Sequence, residues 1–212
     1  YPVMQTPPAA AASPRRLARM VRERWTDALT DGLSDIDKAV AEFFTALMQQ
    51  TGTQRDMQKR RDAWQGYEQK RKDWLQAMAA ALRVSLALPV TAPADARAMY
   101  TADSSLELLG DDVVENKIIA SRIALTVMEE VAPQFDALRL PAADPLRPES
   151  LSLNLVESWL KVGLPRDDLQ MAVEPLQRAT AALMLTAYQS CNEFLADRGV
   201  VAQQELRVRL QR

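Results

Sequence analysis

From Ser13 onward, apolar residues return every three or four positions, and the spacing predicts one helix after another. Ser13 followed by Pro14 reads as an N-cap with proline at the first helical position, where its missing N–H is harmless. Leu17, Val21, Ala28 and Leu29 carry an apolar stripe to about Asp31. Gly32 and the run SDID from Ser34 to Asp37 then predict a break and a fresh start, with Ser34 capping and Asp37 near the positive end of a second helix. That helix turns Ile36, Val40, Phe43, Phe44 and Leu47 inward and stops at Thr51-Gly52-Thr53. A third helix is predicted from about Thr53 to Leu88, roughly 50 Å long at 1.5 Å per residue, with Gly66 marking a kink or a close helix contact.

The stretch PVTAPAD, from Pro89 to Asp95, is the clearest internal linker. Beyond it, Asp112 with Glu115 three residues on has the form of a capping box, opening a helix that buries Ile118, Ile119, Ile123, Val127 and Val131. Pro133 is expected to limit or kink its end. A proline-rich loop, PAADPLRPES from Pro141 to Ser150, leads into a helix from about Pro148 to Val162 that ends at Gly163. One last long helix is expected from Asp167 to Arg198, kinked at Pro175 and stopped by Gly199. No segment alternates apolar and polar residues long enough to predict a sheet. The expected fold is therefore all-α, a bundle of about six to eight helices. Four units are expected: a Pro/Ala-rich leader (1–14), an N-terminal helical hairpin region (15–88), a linker (89–105) and a C-terminal helical region (106–212). The two helical regions could form separate subdomains.

Composition narrows the chemistry. The 212 residues are 48% hydrophobic and 25% charged, enough for a sizeable core, and no apolar run reaches the roughly 18 to 20 residues of a membrane span. No secretory signal is evident, so a cytoplasmic location is expected. The opening Tyr1 suggests an excerpt of a longer sequence. There is no histidine and one cysteine, Cys191, which removes imidazole-based triads and zinc sites and any internal disulfide. With no catalytic motif, metal set or cofactor signature, a non-enzymatic role without a cofactor is expected.

Three phrases carry a family resemblance. LELLGDDVVENKIIASRIA, from Leu106 to Ala124, resembles "LxLLDDxxVEExIAxSR", and ADPLRPESL, from Ala143 to Leu151, resembles "DNPLGPxxL" through Asp144, Pro145, Leu146 and Pro148. YQSCNEFLADRGV resembles "YxxLNxxLxxxGVLP" through Tyr188, Asn192, Leu195, Gly199 and Val200. Together, in this order and spacing, they resemble the bacterial family DUF1631, and the helices from Leu33 to Leu82 are similar to its N-terminal part. Val201-Ala202 stands where the family has Leu-Pro, and the chain is shorter than usual members, which implies a partial or shortened member. Some members include a PilZ-type cyclic dinucleotide-binding region. The β-barrel serving that region's RxxxR motif has no counterpart here, although Arg15 and Arg19 have the spacing.

The remaining candidates are arginines. In KRRDAWQGYEQKRKDW, from Lys59 to Trp74, a helical wheel places Trp64, Leu75, Met78 and Leu82 in one arc, with Met57 beside it and Tyr67 and Trp74 on its flank. Arg60 and Arg71 fall in the same arc. Either their stems lie along the bundle and their heads reach a carboxylate, or they hold an anion of a partner. Seven positive against four negative charges from Arg55 to Trp74 leave +3, and the whole chain carries −2, which disfavours nucleic acid. Arg15, Arg19 and Arg22 share a second basic face, on an ordinary amphipathic helix or one that meets a lipid surface. The acidic pairs Asp111/Asp112 and Asp167/Asp168 are read as helix starts, adjacent Glu129/Glu130 as too divergent to chelate, Cys191 as core, and Asn192 and Arg198 as contacts near the last turn. The expected function is a regulatory or protein-interaction domain acting through a helical surface. The alternative is a sensor of an anionic nucleotide, such as a cyclic dinucleotide, held by Arg60 and Arg71.

Overall fold

The computed structural model describes residues 13–87, 111–138 and 144–199, which form α1 (Pro14–Met48), α2 (Gln54–Ala87), α3 (Asp111–Leu138), α4 (Pro148–Lys161), α5 (Arg166–Met171) and α6 (Val173–Asp197). There is no strand among the described residues, in keeping with the all-α expectation. The leader up to residue 12, the linker 89–105, residues 106–110, part of the proline-rich loop (139–143) and residues 200–212, with Val200 and Val201-Ala202, lie outside them. No helix of the described residues is long and apolar enough to cross a membrane.

The expected break at Gly32 does not occur. Helix α1 runs 35 residues, from the cap where Ser13 Oγ accepts from Arg16 N at 3.4 Å, through Gly32 and Ser34, to Met48. Burial explains the continuity: Val21, Trp25, Leu29, Leu33, Ile36, Val40 and Phe44 all face the core in steps of three or four that cross Gly32 without interruption. A glycine inside a helix costs only about 1 kcal/mol, less than one large buried side chain returns. Gly32 is a contact point instead. A Cβ placed there would sit 2.0 Å from Leu183 Cδ1, so the Leu183 side chain of α6 occupies the space left by the missing side chain. Asp37 is therefore not at a helix start but in the middle of α1, and it is buried.

Helix α2 matches its expected bounds, and its cap is reciprocal: Thr53 Oγ1 accepts from Asp56 N at 3.1 Å and donates to Asp56 Oδ2 at 2.7 Å. That hydroxyl donation holds the Asp56 carboxyl below the usual carboxylate value. The buried face of α2 is rotated from the expected arc. Ala63, Tyr67, Trp74, Met78 and Leu82 are buried, Trp64 and Leu75 are half-buried, and Met57 is 43% exposed. Gly66 makes no close contact, since a Cβ there would meet nothing within 4 Å.

Pro133 lies inside α3, which continues to Leu138. The expected last helix is two helices. A proline at position 175 cannot supply the N–H owed to Met171 O, and its ring crowds that carbonyl, so the helix ends there and restarts after Ala172. Gly163 and Gly199 stop α4 and α6 as expected, with φ of 88° and 75°.

The five longer helices close a ring. Helix α1 packs on α2, α2 on α4, α4 on α3, α3 on α6, and α6 back on α1. Contacts from Val21 to Cys191 and from Gly32 to Leu183 show α6 antiparallel to α1. Pairs Arg122–Gln177 and Gln134–Asn192 show it parallel to α3. One hydrophobic core fills the ring and draws on both expected helical regions. Its centre is aromatic: Trp159 of α4 stacks on Tyr67 at 5.5 Å, meets Trp74 edge-on at 5.1 Å and lies 6.4 Å from Phe44. Both indoles are satisfied, Trp74 Nε1 donating to Leu155 O at 3.3 Å and Trp159 Nε1 to Pro165 O at 2.9 Å.

The two glycines of α1 and α2 give opposite expectations. Gly32→Ala should destabilise by about 1–2 kcal/mol through displacement of Leu183, and the same change in a Leu183→Ala background should stabilise by about 0.5–1 kcal/mol. Gly66→Ala should stabilise by about 0.5–1 kcal/mol in the unaltered chain. Urea unfolding of the four variants measures all three signs.

Candidate functional site

Arg71 and Arg60 both turn toward α1, as their place on the inward arc implies, and each meets an acceptor inside the protein. The guanidinium of Arg71 grips Asp37 with two parallel bonds, Nε to Oδ1 at 2.9 Å and Nη2 to Oδ2 at 2.8 Å. Its Nη1 reaches Glu68 Oε1 at 3.0 Å. Tyr67, one turn earlier, donates its hydroxyl to Asp37 Oδ1 at 2.7 Å. One carboxylate thus accepts three hydrogen bonds from two side chains at i and i+4 of α2, a fork geometry that arginine provides and lysine does not. Burial and the bond to Asp37 push the Tyr67 phenol far above its ordinary value, so it stays a donor, and Arg71's own bonds to Asp37 raise its guanidinium.

Arg60 lies two turns closer to the hairpin end. Its Nη1 donates to Gln50 O at 3.0 Å and Thr51 O at 3.4 Å, tying α2 to the carbonyls left over where α1 stops. The basic face of α1 divides into three cases. Arg15 is exposed. Arg19 makes a surface pair with Glu23 at 3.0 Å, both side chains mostly in water. Arg22 turns inward and meets Asp144 Oδ2 at 2.8 Å, where only 4% of the Asp144 side chain is exposed.

That last contact lies where the second and third phrases meet. Asp144 Oδ1 also accepts from Leu146 N at 2.9 Å, its carbonyl accepts from Arg147 N and from the Ser150 hydroxyl, and Tyr188 donates to Leu146 O. The loop before α4 is thereby latched to α1 by Arg22 and to α6 by Tyr188. Tyr188 stacks on Trp25 at 4.6 Å and lies 5.7 Å from Phe135, whose ring carries the Arg147 guanidinium at 4.8 Å. Asn192, one turn on, donates to Gln134 O at 2.9 Å and to Gln134 Oε1 at 2.8 Å. Arg198 lies over Phe194 at 3.7 Å. From the first phrase, Asp112, Glu115 and Asn116 collect Arg166 of α5, with contacts of 3.2, 3.0 and 3.0 Å. These residues hold helices to one another, and sequence reasoning had singled out neither Arg166 nor the Tyr67–Asp37 bond. The signal for the second was present as Tyr67-x-x-x-Arg71 on one helix face.

Other expected features divide. Cys191 is buried beside Val21 O, and burial pushes its thiol up to about 11. Glu129 and Glu130 are exposed. Asp168, read as a capping residue, makes no capping bond: the N-cap of α5 is Pro165, and no side chain caps that helix. Ile118, expected in the core, is 55% exposed, because the buried stripe of α3 is Ile119, Ile123, Val127 and Val131 and position 118 lies about 100° away from 119. With Val114 at 37% and Leu125 at 68%, Ile118 forms an outward apolar line on α3.

Removal of the Arg71 head leaves a mostly buried carboxylate with a single phenol donor. Arg71→Ala should cost about 2–4 kcal/mol, and adding Asp37→Leu should recover part of that loss. A double-mutant cycle by chemical denaturation reads the coupling directly.

Among curated proteins and solved structures, none is significantly similar to this chain. A family model does match, that of "Protein of unknown function (DUF1631) N-terminal domain", over residues 13–199. The match takes in all six helices with the latched loop between α3 and α4, and the chain belongs to the DUF1631 family.

Proposed function

We propose that this chain is a non-catalytic interaction domain, with a regulatory or scaffolding role, that presents the outer face of α3 to a protein partner. The observation that carries the reading is the line of Val114, Ile118 and Leu125, exposed at 37%, 55% and 68% and gathered within an arc of about 40° of the helix. The opposite side of the same helix is fully committed to the core. An isoleucine and a leucine left in water each forgo about 1.5–3 kcal/mol that burial against a partner returns. Ser121, Arg122 and Glu129 are exposed beside the line, giving it the polar border usual around an apolar contact.

An anionic nucleotide held by Arg60 and Arg71 is the weaker reading. Such a ligand would have to displace Asp37 from a three-bond site and the α1–α2 turn carbonyls from Arg60.

The test compares the chain with an Ile118→Ser/Leu125→Ser variant, which exchanges exposed apolar atoms and should keep its melting temperature. A stoichiometric partner captured by the first and lost by the second supports this face. Equal capture by both removes it, and saturable heat with a cyclic dinucleotide that Arg71→Lys abolishes would favour the sensor instead.

A further inference from the structure

A second surface feature lies away from α3. Where the first half of α2 passes the corner between α4 and α5, the structure holds an open cleft of about 1090 Å³, lined among others by Lys59, Asp62, Ala63, Gly66, Pro165 and Asp168. Its floor is bare helix. Ala63 is buried beneath it, and a Cβ on Gly66 would meet nothing within 4 Å, so a ligand can lie directly on the backbone of α2 at Gly66.

Asp168 lines this cleft and is 9% exposed, yet among the described residues its carboxylate has no hydrogen bond and no ion pair. The reason is local. At the third position of α5 a carboxylate ordinarily turns back to the N–H of the cap residue, and here that residue is Pro165, which has none. The nearby carboxylates do not help. Asp62 accepts from Gln58 at 2.7 Å, and Asp167 adds a like charge. Lys59 is the cation facing Asp168 and stops short of an ion pair. Counting every charged side chain that lines the cleft, with Asp167 beside it, the charge is net negative: Asp56, Asp62, Asp167 and Asp168 against Arg55 and Lys59. No three of the described acidic or cysteine side chains are grouped to hold a metal ion.

We propose that the α2–α5 cleft receives an arginine side chain of a partner polypeptide, its guanidinium bidentate on Asp168 and its stem lying over Gly66. A guanidinium supplies paired donors to both oxygens of a carboxylate that otherwise has none, and its flat aliphatic stem fits a floor without side chains. The inference rests on the reading of this chain as an interaction domain, but uses a surface separate from the α3 line.

Burial, and next the charge of Asp167, raise the Asp168 carboxyl above its ordinary value. The folded chain therefore holds that proton more tightly than the unfolded one, and stability is lost as pH rises from the ordinary carboxylate range through the raised value. Above that window the ionised group is a cost to folding that Asp168→Asn removes. Guanidinium binding requires the ionised form and strengthens over the same window.

The probe is N-acetyl-L-argininamide, with N-acetyl-L-norleucinamide as the uncharged control, titrated into the full chain at pH 7 and followed by NMR at the Gly66 amide and the Asp168 carboxyl carbon. Saturable shifts with the arginine derivative alone are expected, weakened roughly tenfold or more by Asp168→Asn. The same variant should melt at a higher temperature at pH 7, which separates a binding carboxylate from a structural one. Linear shifts, equal shifts with the control, or a saturable response unchanged in Asp168→Asn would overturn the proposal. A lower melting temperature for that variant would do the same. Because the probe is an isolated side chain, its failure leaves the α3 capture experiment untouched, and loss of the α3 partner leaves probe binding untouched.

Discussion

A carboxylate in the middle of a packed helix has to be neutralised, and Asp37 sets the terms on which α1 and α2 meet. Bringing an aspartate into the interface between two helices costs several kcal/mol unless donors meet it at good geometry. Tyr67 and Arg71 do so from one face of α2, one turn apart. Sliding α2 by a single turn would exchange the paired donors Tyr67 and Arg71 for Ala63 and Tyr67, or for Arg71 and Leu75, and leave the carboxylate with one donor side chain in place of two. The hairpin register is therefore specified by polar pairing, while the apolar residues around it supply the attraction without distinguishing one turn from the next. The Arg60 contacts to the turn carbonyls fit the same register two turns away.

The second half is joined to this hairpin through two further anchors of different chemistry. Trp159 inserts between Tyr67 and Trp74, so that the helix carrying it packs against residues whose positions the Asp37 site has already fixed. Asp144 takes Arg22 at the opposite end of the interface and also organises its own loop. Both are specific in direction: the Trp159 indole donates to the Pro165 carbonyl, and the Asp144 carboxylate takes the Arg22 guanidinium. Between them they determine how α4 is presented to α2, and α3 and α6 complete the circuit by apolar packing together with the Gln177–Arg122 and Asn192–Gln134 bonds.

Much of this was legible in the sequence, and the failures have physical causes. Helix class, the bounds of α2 and α4, the stops at Gly163 and Gly199 and the core place of Cys191 follow from periodicity and cap chemistry. Gly32 misled because glycine signals both a helix end and a close helix crossing, and only the position of Leu183 decides between them. Pro175 was read as a kink because its effect lies upstream, at the carbonyl of Met171, where the chain breaks. Ile118 was placed inside because it stands next to Ile119, yet adjacent helical residues point about 100° apart, and the sequence does not say which of the two lies on the buried stripe. The inward turn of Arg71 follows from its place on the arc, but Asp37 was invisible as its partner because it had been assigned to a helix end. Asp168 was hidden by the same habit of reading paired acids at a helix start as caps, when the cap residue three positions before it was proline.

The closed ring of helices has a consequence for how the chain comes into being. Helix α1 is made first, yet its flank bearing Trp25 and Leu29 is covered by α6, the last helix of the described chain to be made. More than a hundred residues must leave the ribosome before that flank finds its cover, and contacts this distant in sequence are slow to form. The nascent α1–α2 hairpin can already hold its Asp37 pairing while it waits, carrying an unsealed aromatic seam that only the arrival of Tyr188 closes.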